Sequence, residues 1–156
     1  MLFVCKKRNI QTIKPILLVL LLVLCSGKSS IYLENWKWIQ QCLLQSYNYV
    51  ADSRLKKWEL SVAPEGFFRL RKFHVSGKQE YFSFHFSRLK DVRYDGVADS
   101  GNIVFNTLAD DIIVQTFNDA EGNVDSMSTA LKIPVINMKI QKLDSLRKAL
   151  MMFQHR

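Results

Sequence analysis

The chain is poor in the residues that carry most chemistry: three cysteines, three histidines, three prolines and six glycines in 156 residues. Each scarcity narrows the readings. Cys5 and Cys25 fall in or at the edge of the first 25 residues, which leaves Cys42 alone in the remainder. That remainder can form no internal disulfide and has to stand on a hydrophobic core. Cys42 lies in an apolar helical stretch and reads as a buried, inert thiol. The sparse glycines form no phosphate-cradling loop and no nucleophile elbow. His74 and His85 are the histidines of the body, His155 being at the tail, and neither has a Cys or carboxylate at zinc-ligand spacing. No Ser/His/Asp or Cys/His pattern stands out. No catalytic residue, metal or cofactor is expected, and a hydrolase would need a cryptic site.

Long apolar runs are also missing, with one short exception. Ile16–Leu24 reads ILLVLLLVL, about half of the ~20 residues that cross a bilayer. Lys6, Lys7, Arg8 and Lys14 precede it without an acid, the layout of a secretory signal. The expectation is export to the periplasm, the cell surface or the medium. Residues 1–27 would be a signal peptide or short membrane anchor, and 28–156 a single α+β domain. Gly27 with Cys25, or Ser29 with Gly27, supplies the small residues of a cleavage site. Lipid attachment at Cys25 is the alternative, although Leu24 stands where a lipobox has a small residue.

The formal net charge of +8 is partly a property of that leader. It holds four of the 22 basic residues and none of the 14 acids, so the balance from Ser26 onward is 18 against 14. There is no dense Lys/Arg stripe, and nucleic acid is not an expected partner. The charge is segregated: residues 54–93 hold ten bases and four acids, residues 95–125 seven acids and no base. A dipolar surface that orients a partner is one consequence; pairing between neighbouring strands is the plainer one.

Trp36, Ile39, Leu43, Tyr47 and Val50 recur at helical spacing and predict a helix over 32–50. Trp58, Leu60 and Val62 alternate in a strand, and Pro64-Glu65-Gly66 marks a turn. Phe67–Val75 and Gln79–Ser87 flank Ser76-Gly77-Lys78 as a hairpin with a three-residue loop. That loop pairs Val75 with Gln79, Leu70 with Phe84 and Phe68 with Phe86. Phe68, Leu70, Phe82, Phe84 and Phe86 then share a core face. Further strands are expected around Leu89–Tyr94 (ended by Asp95-Gly96), Ile103–Thr107, Ile112–Phe117 and Thr129–Val135, where Pro134 argues for an edge. A closing helix runs from about Ile140 to Phe153 with Asn137 as a cap, its Lys142, Arg147 and Lys148 facing water.

The fold class is therefore α+β: a helix, about six or seven antiparallel strands in a curved sheet or half-open barrel, and a second helix. The run of strands with a closing helix resembles a pleckstrin-homology-like roll in architecture, which does not fix function.

The ligand-binding candidates are Arg69, Arg71, His85, Tyr81 and Phe73, on the outer face of the 67–87 hairpin, with Lys72 at the margin of its core face. Guanidiniums beside aromatic rings suit a phosphate, a carboxylate or an anionic headgroup; an ordinary solvated sheet face is the alternative. Asp119–Asp125 misses calcium-loop spacing and reads as a solvated turn. Asp110-Asp111 also reads as a turn. The function expected is non-enzymatic: an exported binding domain for another protein or an envelope component. A carrier or sensor of an amphipathic anionic ligand is the second reading, its acyl part lying between helix 32–50 and the sheet.

Overall fold

The computed structural model describes residues 35–154 apart from Ser53, Ala98 and Asp99. The expected leader, Cys25 and His155 lie outside the described residues. Alternation of apolar and polar side chains builds three consecutive antiparallel strands: β1 (Leu55–Val62), β2 (Phe67–His74) and β3 (Gln79–His85). The β1–β2 turn closes through Ala63 N–H to Phe67 O and Gly66 N–H to Ala63 O. Gly66 has φ +98°, and a Cβ there would come within 2.7 Å of the Phe153 ring, so conformation and packing both demand glycine.

The β2–β3 register differs from the expected one by two residues. Phe68 faces Phe84, Leu70 faces Phe82 and Phe67 faces His85. The turn closes earlier, because His74 N–H bonds Lys78 O and Gly77 N–H bonds His74 O. Val75 consequently projects into the loop instead of pairing with Gln79. A shift of two leaves every side chain on its expected face. Phe68, Leu70, Phe84 and Phe86 are buried, and Phe82 packs against them.

A 3-10 turn at Phe86–Arg88 carries the chain into a second sheet. β4 (Leu89–Val97) and β5 (Ser100–Thr107) form its first hairpin. Asp95-Gly96 does not end β4. Gly96 lies opposite Gly101, and a Cβ on it would stand 2.6 Å from Gly101 Cα and 2.8 Å from the Tyr94 ring. The glycines let that ring cover the hairpin. β6 (Ile112–Phe117) returns to the first sheet beside β3, and β7 (Asp125–Ser128) pairs with β6. β8 (Ala130–Val135) pairs with β5. The last expected strand, Thr129–Val135, is β8; β7 is an additional strand before it, and the chain changes sheets at Thr129, whose carbonyl accepts Thr107 N–H. Among the described residues the result is eight strands in two antiparallel sheets, ordered β1-β2-β3-β6-β7 and β4-β5-β8, not closed into a barrel. The likeness to a pleckstrin-homology-like roll extends to the run of strands and the final helix only.

Helix α1 occupies residues 35–46 of the described chain and α2 spans Ile140–Met151. Ile39, Leu43 and Tyr47 of α1 and its exit, with Leu143, Leu146 and Leu150 of α2, join the strand side chains in one core. Phe68, Phe84, Phe86 and Phe105 lie at its centre, with ring centroids 5.2–6.3 Å apart. Burying each such side chain contributes about 1.5–3 kcal/mol.

α1 ends four residues earlier than its periodicity suggests. Asn48 N–H bonds Pro134 O and Ile136 N–H bonds Ser46 O, so the chain leaves the helix to cover the open edge of β8. Val50, expected on the apolar face, is 75% exposed in a 3-10 turn at Tyr49–Ala51. At the other end Asn137 adopts φ +56° in a turn and Lys139 occupies the cap position of α2, without a side-chain cap. Lys142 and Arg147 are latches instead of free charges: Lys142 Nζ donates to Ser46 Oγ at 2.7 Å and Arg147 Nε to Val92 O at 2.8 Å. Gln154 Nε2 caps Leu89 O in the same way, so α2 and the chain after it take up carbonyls of edge strand β4.

Candidate functional site

Strand register puts the odd-numbered residues of β2 and β3 on the side of the five-stranded sheet that faces away from the core. Three rows cross it: Lys57–Phe73–Gln79–Phe117, Glu59–Arg71–Tyr81–Gln115–Asp125 and Ser61–Arg69–Ser83–Ile113–Met127. Among the described residues no element packs over them. Phe67 (42%), Ile113 (37%), Phe117 (44%) and Met127 (56%) are exposed there.

All five expected site residues, Arg69, Arg71, Phe73, Tyr81 and His85, share this face. Arg71 is held against two rings, 5.6 Å from the Tyr81 centroid and 6.0 Å from that of Phe73. Arg69 sits 5.6 Å from the Phe67 ring. His85 does not join the arginines as expected. The register shift sets it opposite Phe67, whose ring it meets edge-on at 4.7 Å. Its Nδ1 accepts Ser87 N–H at 3.1 Å and lies 2.6 Å from Ser87 Oγ, so the imidazole caps the 3-10 turn.

Ion pairing separates these arginines from five of the other cations of residues 54–93, while Arg54, Lys56 and Lys90 also have no salt bridge among the described residues. Lys57 pairs with Glu59 at 2.6 Å, Lys72 with Asp52 at 2.6 Å, Lys78 with Asp119 at 2.8 Å and Arg88 with Asp111 at 2.8 Å. Arg69 and Arg71 have no carboxylate within 4 Å among the described residues. Glu59 stands across from Arg71 in the register but is engaged by Lys57, whose hydrogen bond holds its carboxyl below the usual range, with a smaller contribution from Arg71. The pairs Lys78–Asp119 and Arg88–Asp111 join the basic and acidic segments; Lys132, outside both, pairs with Asp95 at 3.8 Å in the second sheet.

The inner face of the same hairpin holds a group of residues that spacing alone did not assemble. Lys72 is buried, directed at Asp52, and its ammonium lies 5.7 Å from the Phe82 ring. Tyr47 donates to the same Asp52 oxygen at 2.7 Å. Burial first, then the Asp52 bond, pushes the Tyr47 phenol well above its ordinary value. Beyond them a polar cleft of about 590 Å³ opens between Ala51, Asp52 and Arg54, the β2–β3 turn and the 119–121 loop. His74 Nε2 lies 3.3 Å from Glu80 Oε2, off the line of a hydrogen bond, and Lys78 bridges Glu80 and Asp119. Asp119 also accepts Glu121 N–H, and these contacts keep its carboxyl below the usual range. The cleft's charges are chiefly engaged with one another, clasping the 118–124 loop to the hairpin. The signal for this cluster was Lys72 at an even-numbered position of β2: a cation on a core face requires a buried partner.

Asp111 is fixed by Arg88 and by Ala109 N–H, while Asp110 is exposed. Cys42 is buried, and burial pushes its thiol up, with Lys142 acting in the opposite direction. Among the described residues no three His, Cys, Asp or Glu side chains gather as metal ligands, and no helix there is long and apolar enough to cross a membrane. No family model matches the sequence, and no curated protein or solved structure is significantly similar to it.

Proposed function

We propose that the chain is an exported, non-enzymatic interaction domain, acting at the cell envelope or outside the cell, and that the outer face of its five-stranded sheet receives a protein partner. The observation that carries this reading is the composition of that face. Arginine, tyrosine, phenylalanine and methionine are the residues enriched in protein interfaces, and Tyr and Arg recur as energetic anchors. Here Arg69, Arg71, Tyr81, Phe67, Phe117 and Met127 share one surface that no described element covers. Export rests on the basic start and the apolar run of residues 1–25.

A carrier of an amphipathic ligand has less support. Ile39, Leu43 and Tyr47 fill the space between α1 and the sheet where an acyl chain would lie.

A photo-crosslinking side chain placed at Tyr81, with Lys132 of the other sheet as control, tests the interface in the exporting cell. A discrete adduct from position 81, absent from 132, supports it. Adducts from both positions alike, or from neither, contradict it. The intact mass of soluble and membrane fractions tests export. A soluble form starting near Lys28 means cleavage, and an acylated Cys25 or a retained leader means a tethered domain. An unprocessed chain confined to the cytoplasm overturns this part of the proposal.

A further inference from the structure

Resting on the interaction face proposed above, we infer that its partner is an acidic polypeptide segment, with carboxylates for Arg69 and Arg71 and an adjoining apolar side chain for Ile113 and Met127. The spacing comes first. Arg69 and Arg71 are two positions apart on β2, so their Cα atoms stand about 6.6–6.8 Å apart along the strand. Each guanidinium is held by rings that supply no hydrogen-bond acceptor comparable to a carboxylate, and the planar fork of donors remains free for one. Carboxylates at alternate positions of an extended segment repeat at the same interval.

The next row explains the apolar half. Ser83 is the short residue between Arg69 and Ile113, buried beneath its neighbours, and Ile113 and Met127 stand beyond it. Adjacent strands are about 4.8 Å apart, which places Ile113 about 10 Å from Arg69, within the width of one extended segment and its side chains.

Charge complementarity chooses between a polypeptide and an anionic bilayer. Glu59 and Asp125 end the row that contains Arg71. A flat anionic surface would meet Asp125 and the Lys57-paired Glu59 together with the arginines. A narrow segment running along β2 and β3 presents its carboxylates to Arg69 and Arg71 and reaches β6 and β7 with an apolar side chain alone.

The test uses the full-length chain as expressed and exported, with fluorescence anisotropy of defined probes. The first is a short peptide carrying Glu at alternate positions beside a Phe. The second has Gln in place of each Glu. The third is a phosphatidylglycerol vesicle. The Glu peptide is expected to bind, the Gln peptide at least about tenfold more weakly. Arg69→Ala, Arg71→Ala and Ile113→Ser should each weaken the Glu peptide by about tenfold, the scale of an interface anchor. These residues are exposed, and unchanged circular dichroism of the variants establishes that they fold. Equal binding of the two peptides, still sensitive to the three variants, overturns the acidic partner while leaving the face as a docking surface. Binding insensitive to all three variants overturns the face as well. Silence of both peptides with Arg-dependent vesicle binding assigns the arginines to a membrane surface and rejects the inference. Silence of all three probes rejects it too.

Discussion

Arg71 and Lys72 are adjacent on one strand and carry the same charge, yet they belong to different parts of the molecule's physics. Lys72 points inward, is buried, and is neutralised by Asp52 at 2.6 Å, where Tyr47 also donates. Arg71 points outward, lies against the Tyr81 and Phe73 rings and has no salt bridge among the described residues. The alternation of a strand thus divides its cations into those the fold consumes and those it leaves for a partner. The same division holds along β2: Phe68 and Leu70 build the core, while Phe67 and Arg69 lie on the uncovered face.

Substitutions on the two faces should therefore differ sharply in cost. Phe68→Ala opens a cavity at the centre of the aromatic cluster and is expected to destabilise by about 3–5 kcal/mol in urea denaturation. Phe67→Ala, one residue away, should stay within about 0.5 kcal/mol. A comparable loss at both positions would erase the contrast between the faces. Lys72→Ala leaves the Asp52 carboxylate without its cation. Asp52 is still partly solvated, so the expected cost is about 2–3 kcal/mol, below that of a fully buried pair.

Tyr47→Phe removes one hydrogen bond to Asp52, about 1 kcal/mol. It also sharpens the comparison through pH. The phenol is pushed up in the folded state, so its contribution is complete below the ordinary tyrosine value of about 10 and is lost as pH rises above it. The variant should show a shallower alkaline decline in midpoint; an identical slope would mean that Tyr47 does not contribute to it. Acid acts on the surface clasps. Asp111 and Asp119 are held down by Arg88 and Lys78, so these pairs contribute above the unfolded carboxylate value of about 3.9 and are lost as pH falls below it. Both pairs lie at the surface with half-buried carboxylates, and the effect should be modest and weakened by salt. An acid transition indifferent to salt would contradict this assignment.

Periodicity made much of this legible. The hairpin faces followed from alternation alone, and they survived an incorrect register because the error was two residues. That error arose at Val75, which has strand character but is displaced into the loop by the His74–Lys78 turn. His85 accordingly lost its place beside the arginines. Features set by distant contacts were not legible. No glycine or proline marks the end of α1 at Ser46; pairing with Pro134 and Ile136 stops it. Thr129 carries no turn signal, yet the chain changes sheets there. The Tyr47–Asp52–Lys72 cluster draws on three elements, and only the inward parity of Lys72 hinted at it. The arginine–aromatic face was legible because strand spacing determines it locally.

The central claim is that the outward arginines bear on recognition and not on the fold. Urea denaturation of Arg69→Ala/Arg71→Ala beside Lys72→Ala tests it most directly. The account predicts a double variant with a stability within about 0.5 kcal/mol of the parent and a clearly weakened Lys72→Ala. A double variant as destabilised as Lys72→Ala would contradict it, because the arginines would then be holding the sheet together.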